Sequence, residues 1–137
     1  HDDADDVLQN TFVKVFQNIN GFKGNSTIYT WMYKIATNEA LNLIKKKSKH
    51  YGVSNEEWIE TKVSRLESDS YFDGDELSIR LQNAVAKLPE KQRLVFNMKY
   101  FDEMKYDNIS EILGTSVGGL KASYHHAVKK IKKQINE

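Results

Sequence analysis

Apolar residues recur at three- and four-residue spacing along most of this chain, and only one of its 137 residues is proline. That combination restricts the chain to helices, because a helix presents one face every 3.6 residues and tolerates little interior proline. The expected fold class is all-α. No run of about 18 apolar residues occurs, so no membrane insertion is expected. No secretory leader is expected either, since His1-Asp2-Asp3-Ala4-Asp5-Asp6 is mostly acidic. The absence of cysteine removes disulfides, thiolate zinc sites and cysteine nucleophiles, and fits a reducing compartment.

A formal net charge of +1 conceals segregation. Asp2, Asp3, Asp5 and Asp6 are followed by a basic section holding Lys34, Lys45, Lys46, Lys47 and Lys49. Residues 51–76 are acidic, with Glu56, Glu57, Glu60, Glu67, Asp69, Asp73, Asp75 and Glu76 against Lys62 and Arg65. Basic charge returns at Lys121, Lys129, Lys130, Lys132 and Lys133. The two basic blocks are either polyanion-facing surfaces or solvated helix faces, and charge alone favours the solvated faces.

The spacing predicts a helix over residues 4–19 with Leu8, Phe12, Val15, Phe16 and Ile19 on one stripe. Asn20-Gly21 is a stop signal, with glycine where left-handed backbone is usual. After a loop over residues 22–26, Asn25 or Ser26 is expected to cap a long helix over residues 27–48. Ile28, Trp31, Met32, Ile35, Ala36, Leu43 and Ile44 mark its expected buried side. Lys34, Asn38, Asn42, Lys45 and Lys49 share another side, which suits phosphates and base edges or simply solvent. Residues 51–76 lose periodicity and read as a linker with room for a helical turn around Trp58, a hinge rather than a packed interface.

Helices are expected again from Leu77, with Leu81, Val85 and Leu88 inward, and from Pro89, with Leu94, Val95, Met98 and Phe101 inward. A short helix follows, from Tyr106 or Asp107 to Leu113, bearing Ile109, Ile112 and Leu113. Next come Gly114-Thr115-Ser116 and a last helix with Val117, Leu120, Tyr124, Ala127, Val128, Ile131 and Ile135 inward. Short helix, glycine turn, hydroxyl cap and longer helix form a helix-turn-helix pattern. The second helix would enter a major groove, presenting Gly118, Gly119, Lys121, Ala122, Ser123, His125 and His126. Small residues at 118 and 119 permit close approach, and Lys121 reaches phosphates or guanine acceptors. A plain helical hairpin shares this periodicity; the glycine turn, the cap and the basic tail favour DNA binding. Divided this way, the chain is two small helical modules, residues 1–50 and 77–137, joined by an acidic linker over residues 51–76.

Several of these stretches resemble bacterial sigma factors. Leu88-Pro89-Glu90-Lys91-Gln92-Arg93, Tyr100-Phe101, Ile109-Ser110-Glu111-Ile112-Leu113-Gly114 and Ser116-Val117-Gly118-Gly119-Leu120-Lys121 look like their C-terminal module. Asp5-Asp6-Val7-Leu8-Gln9-Asn10-Thr11-Phe12 resembles the core-polymerase-binding helix. Thr30-Trp31-Met32-Tyr33-Lys34-Ile35-Ala36-Thr37-Asn38 resembles the promoter-melting segment. With no module between the two sets, the resemblance is to the extracytoplasmic-function group.

The resemblance implies a transcription initiation factor acting in the cytoplasm with RNA polymerase core and promoter DNA, and held by an anti-sigma protein. It implies no enzymatic activity and no cofactor. It places Asp5, Asp6, Gln9 and Lys14 on the polymerase clamp. A flipped base of the −10 element would enter the loop Phe22-Lys23-Gly24-Asn25-Ser26, where Gly24 clears space, Asn25 and Ser26 offer hydrogen bonds, and Phe22 or Tyr29 forms a wall. Trp31, Lys34, Asn38 and Asn42, with Lys45 on the same stripe, would lie along melting DNA, although core packing is the stronger claim on Trp31. The −35 element would be read through Lys121, Ala122, His125 and His126. The family often has arginine where this chain has Ser123 and His126, alanine at Ser110 and glutamate at Asn10. Fewer arginines imply weaker or differently directed −35 reading. The helix that precedes the polymerase-binding segment in the family is missing here, so further chain is expected upstream.

Other classes fit less well. His1, His50, His125 and His126 have no zinc spacing, no metal site is expected, and neither HExxH nor a P-loop occurs. The alternative is a helix-turn-helix regulator that binds duplex DNA without polymerase. Such a protein has no use for residues 29–42 arranged toward an unpaired strand.

Overall fold

The computed structural model describes residues 2–67 and 75–137, and every regular element among them is helical. Helix α1 (Asp2–Asn18) tightens into a 3-10 turn at Ile19–Gly21. Helix α2 (Ile28–Tyr51) is capped by Thr27, one residue after Ser26 and two after Asn25, the expected caps, through the Thr30 N–H at 3.2 Å. It ends on Gly52 in the left-handed region. Left-handed geometry falls on Gly24, not on the expected Gly21, because the 3-10 turn closes the first helix without it. Helices α3 (Asn55–Glu67), α4 (Glu76–Ala86), α5 (Glu90–Phe96), α6 (Tyr106–Leu113) and α7 (Val117–Asn136) complete the chain. Pro89 stands just before α5, where its missing N–H costs no helical bond.

Most of the core lies in the C-terminal half, and α7 organises it. Ala127 and Ile131 of α7 pack with Ala84, Val85, Leu88 and Phe96 in one cluster. Leu120, fully buried, packs with Val95, Met98, Met104, Ile109 and Ile112 in another. Tyr124 touches both. After α5 the backbone widens into a π turn over Asn97–Phe101, which stacks Tyr100 on Phe96 at 5.1 Å. Phe101 is thereby turned outward and is exposed, not inward as its spacing suggested.

The N-terminal half differs from its apolar pattern. Of the α1 stripe only Val15 is buried; Leu8, Phe12, Phe16 and Ile19 are exposed, Phe16 at 75%. Among the described residues α1 packs chiefly on α2, so one side of the stripe meets a partner and the other does not. On α2 the buried residues are Thr30, Thr37, Glu39 and Ser48, while Ile28 is exposed and Trp31, Met32, Ile35, Ala36, Leu43 and Ile44 are only half-buried.

The acidic segment also differs from a plain linker. Residues 55–67 form α3, which packs on α2 and α4. Trp58 stacks on Tyr51 at 5.2 Å, Lys62 lies 4.6 Å over the Trp58 ring, and Ser48 donates to Asn55 Oδ1 at 2.6 Å. Asp3 sits 3.7 Å from both Lys47 and Lys62, so charges that look segregated in sequence meet in space. The helix forms because Ile59 and Val63 share a face and Trp58 has an aromatic partner, which outweighs the repulsion of its acids. Residues 68–74 of the expected linker lie outside the described residues.

Candidate nucleic-acid interface

The loop before α2 is built by its two ends. The Phe22 N–H bonds Ile19 O at 3.2 Å, and Phe22 packs on Trp31 with ring centroids 5.2 Å apart. Two clefts open beside Trp31, and Phe22, an expected wall, lines neither of them. One, of about 360 Å³, is lined by Asn25, Ser26, Thr30, Trp31, Lys34 and Glu111. The other, also about 360 Å³, is lined by Asn18, Gly21, Trp31, Lys34, Ile35 and Asn38. Trp31 and Lys34 stand between them. The structure therefore brings together the loop amides, an indole face and an ammonium, a set able to stack a base and hold its phosphate. Trp31 is half-buried, so it serves as wall as well as packing. Tyr29, 61% exposed, lines neither cleft. Lys23 and Gly24 are exposed on the loop, and Asn42 and Lys45 are exposed farther along α2, away from both clefts.

The second candidate surface is α7. Gly114 is left-handed at φ 68°, its N–H bonding Ser110 O at 2.8 Å, and Ser116 caps α7 through the Gly119 N–H at 3.1 Å. Ser110 also donates its hydroxyl to Thr115 O at 2.6 Å, a turn-bracing role that an alanine there would not supply. Gly118, Lys121, Ala122, His125 and His126 are exposed; Gly119 and Ser123 are half-buried. The two glycines differ in use. A Cβ on Gly118 would meet nothing within 4 Å, whereas one on Gly119 would lie 3.1 Å from Thr115 Cγ2. Gly119 sits close against the turn, and Gly118 faces open space. Tyr106, the first residue of α6, gathers two cations near the start of α7: Lys99 Nζ at 4.5 Å and Lys121 Nζ at 5.9 Å from its ring. Gly114→Ala should cost about 1 kcal/mol, the strain of a left-handed Cβ, read as a lowered urea midpoint with an unchanged m-value.

On α1, Asp5, Asp6 and Gln9 are exposed beside the open apolar surface of Leu8, Phe12 and Phe16. Lys14 is drawn away from them into an ion pair with the nearly buried Glu39 of α2. Two further contacts had no local signal in the sequence. Glu111 of α6 lines the cleft of the N-terminal loop. The Tyr33 hydroxyl of α2 donates to Asp102 Oδ2, 69 positions away. Burial, then the bond to Asp102 and its negative charge, push the Tyr33 phenol well above its ordinary value of 10.0.

The family model for Sigma-70 region 2 matches residues 1–50, and the model for Sigma-70, region 4 matches residues 78–131. The ECF RNA polymerase sigma factor SigW of Bacillus subtilis (strain 168) is 34% identical, the match covering 98% of this chain and 76% of that protein. The ECF RNA polymerase sigma-E factor of Escherichia coli (strain K12) is 26% identical, covering 97% of this chain and 74% of that protein. Among solved structures, the sigma factor RpoE in complex with the anti-sigma factor NepR from Bartonella quintana superposes with a TM-score of 0.72. That match covers 99% of this chain and 82% of that one at 18% identity, a likeness of fold.

Proposed function

This chain belongs to the extracytoplasmic-function sigma factors of bacterial RNA polymerase, and on that premise we propose how its residues divide promoter recognition. As a sigma factor it directs polymerase core to promoters, which removes the alternative of a regulator working without polymerase. Residues 1–50 form the module that binds core and the −10 element. Residues 77–137 form the module that binds the −35 element. Asp5, Asp6 and Gln9 face the polymerase. Lys14 supports them indirectly, since its ammonium is engaged with Glu39. Asn25 and Ser26 hydrogen-bond an extruded base against Trp31, Lys34 takes a neighbouring phosphate, and Asn38 continues the path along α2. Asn42 and Lys45 extend it as backbone contacts.

On α7, Gly118 and Ala122 admit the groove, Lys121, His125 and His126 make polar contacts, and Ser123 flanks them. The chain performs no catalysis of its own and acts in the cytoplasm with polymerase. An anti-sigma protein restrains it, a reading supported by the complex in which the similar Bartonella fold was solved.

The observation that carries this assignment is the convergence of Asn25, Ser26, Trp31 and Lys34 on one cleft, apart from a glycine-faced helix-turn-helix. The test separates the two faces. Asn38→Ala or Asn25→Ala should reduce permanganate reactivity of −10 thymines while leaving duplex −35 binding intact. Lys121→Ala should do the reverse, lowering the salt slope of binding by about 0.9 and the affinity about eightfold at 100 mM salt, on every promoter alike. A Lys121→Ala chain with unchanged slope would remove Lys121 from the interface.

A further inference from the structure

We propose that the Tyr106 ring aims two ammoniums, those of Lys99 and Lys121, at one stretch of DNA backbone beside the −35 groove. Lys99 binds a phosphate there, and Tyr106 is a positioning residue that acts through its ring face. The proposal rests on the −35 assignment of α7 above and adds to it a contact outside the recognition helix.

The π turn supplies the first cation. Lys99 lies in the widened segment Asn97–Phe101, where the backbone departs from α-helical spacing, a departure often found at functional sites. Its Nζ stands 4.5 Å from the Tyr106 ring centroid and donates to Met104 O at 3.2 Å. An ammonium carries three donors, so this one keeps two for a ligand. Lys121 comes from the start of α7, with Nζ 5.9 Å from the same ring.

Two like charges gathered on one ring repel each other. Among the described residues no carboxylate relieves them, since the ion pairs there use Lys14, Lys47 and Lys62. Such a pair is stabilised by an anion placed between or beside its members, and the anion this face meets is a phosphodiester.

The location suits that ligand. In a helix-turn-helix the second helix enters the groove while the first crosses the backbone. Tyr106 opens the first helix, α6, and Lys121 lies in the opening turns of the second, α7. The ring therefore stands where the groove gives way to the backbone. Tyr106 is half-buried and packs against the Leu120 cluster, so the ring is fixed before DNA arrives. Lysine has among the largest rotamer entropies of any side chain, and holding it in advance reduces what binding must remove.

The test is binding of the full chain to duplex −35 DNA as a function of salt. Lys99→Ala should lower the salt slope by about 0.9 and the affinity about eightfold at 100 mM salt, on every promoter alike, as the loss of one phosphate contact does. Tyr106→Leu, which keeps an apolar side chain against the core, should lower affinity about two- to fivefold. Tyr106→Phe, which keeps the ring face and drops only the hydroxyl, should bind as the parent does. In a chain already carrying Lys99→Ala and Lys121→Ala, read at lower salt, Tyr106→Leu should cost nothing further. A ring with a merely structural role would weaken binding in that background too. An unchanged slope for Lys99→Ala beside a lowered slope for Lys121→Ala overturns the proposal and leaves the −35 assignment standing. A Tyr106→Leu loss that Tyr106→Phe shares, or that persists in the doubly substituted chain, does the same. Unchanged slopes for both lysine variants overturn the assignment of Lys121 to the −35 interface and this proposal with it.

Discussion

Gly118→Glu should leave the chain folded and lower its affinity for duplex −35 DNA by about two orders of magnitude. The site allows the side chain: a Cβ there meets no atom within 4 Å. Glutamate also suits the first turn of a helix, where its charge faces the positive end of the dipole, and it relieves the entropic cost of a helical glycine. Stability should therefore hold or rise by up to about 1 kcal/mol. The loss falls on binding alone. A carboxylate replaces a gap at the helix start that must approach the groove, bringing like charge toward phosphates and filling the space a base edge needs. Electrophoretic mobility shift at fixed salt, with melting followed by circular dichroism, reads both quantities. A variant that folds and binds normally would take the start of α7 out of the groove.

Leu120→Ala should act in the opposite manner. Leu120 is fully buried among Val95, Met98, Met104, Ile109 and Ile112, the residues that hold α6 and α7 at their working angle. Alanine keeps helix propensity, so the cost comes from lost burial and the cavity left behind, about 3 kcal/mol. For a body of this size that lowers Tm by roughly 12 °C. Binding to −35 DNA should fail near the new Tm and recover on cooling, whereas Gly118→Glu should not recover at any temperature. Calorimetry and binding at two temperatures distinguish the two. A Tm within a degree or two of the parent would mean that this cluster does not hold the motif together.

The contrast between these residues shows what local sequence reveals. Gly114, Ser116 and the inward row from Val117 to Ile135 declare a turn and a helix face within a few residues of one another, and the structure forms both there. Periodicity states which side chains share a face, but not whether another element covers it. Leu8, Phe12 and Phe16 share a stripe that α2 covers only in part. Charge was similarly misleading over residues 55–67, where the stacking of Trp58 on Tyr51 and the pairing of Lys62 with Asp3 sustain a helix that composition argues against. The Tyr33–Asp102 bond and the lining of the loop cleft by Glu111 join residues far apart in sequence. Each looks locally like an ordinary solvated side chain, so only the folded chain brings them forward. Ser110 is an intermediate case: it differs from a common family alanine, and its bond to Thr115 O gives that difference a structural use.

The most direct measurement is run-off transcription with purified polymerase core on templates carrying both promoter elements, either one, or neither. The chain should make core begin RNA at one position, most strongly when both elements are present at their natural separation. Core that starts no more RNA with the chain than without it, on a library wide enough to contain its promoters, would contradict the account.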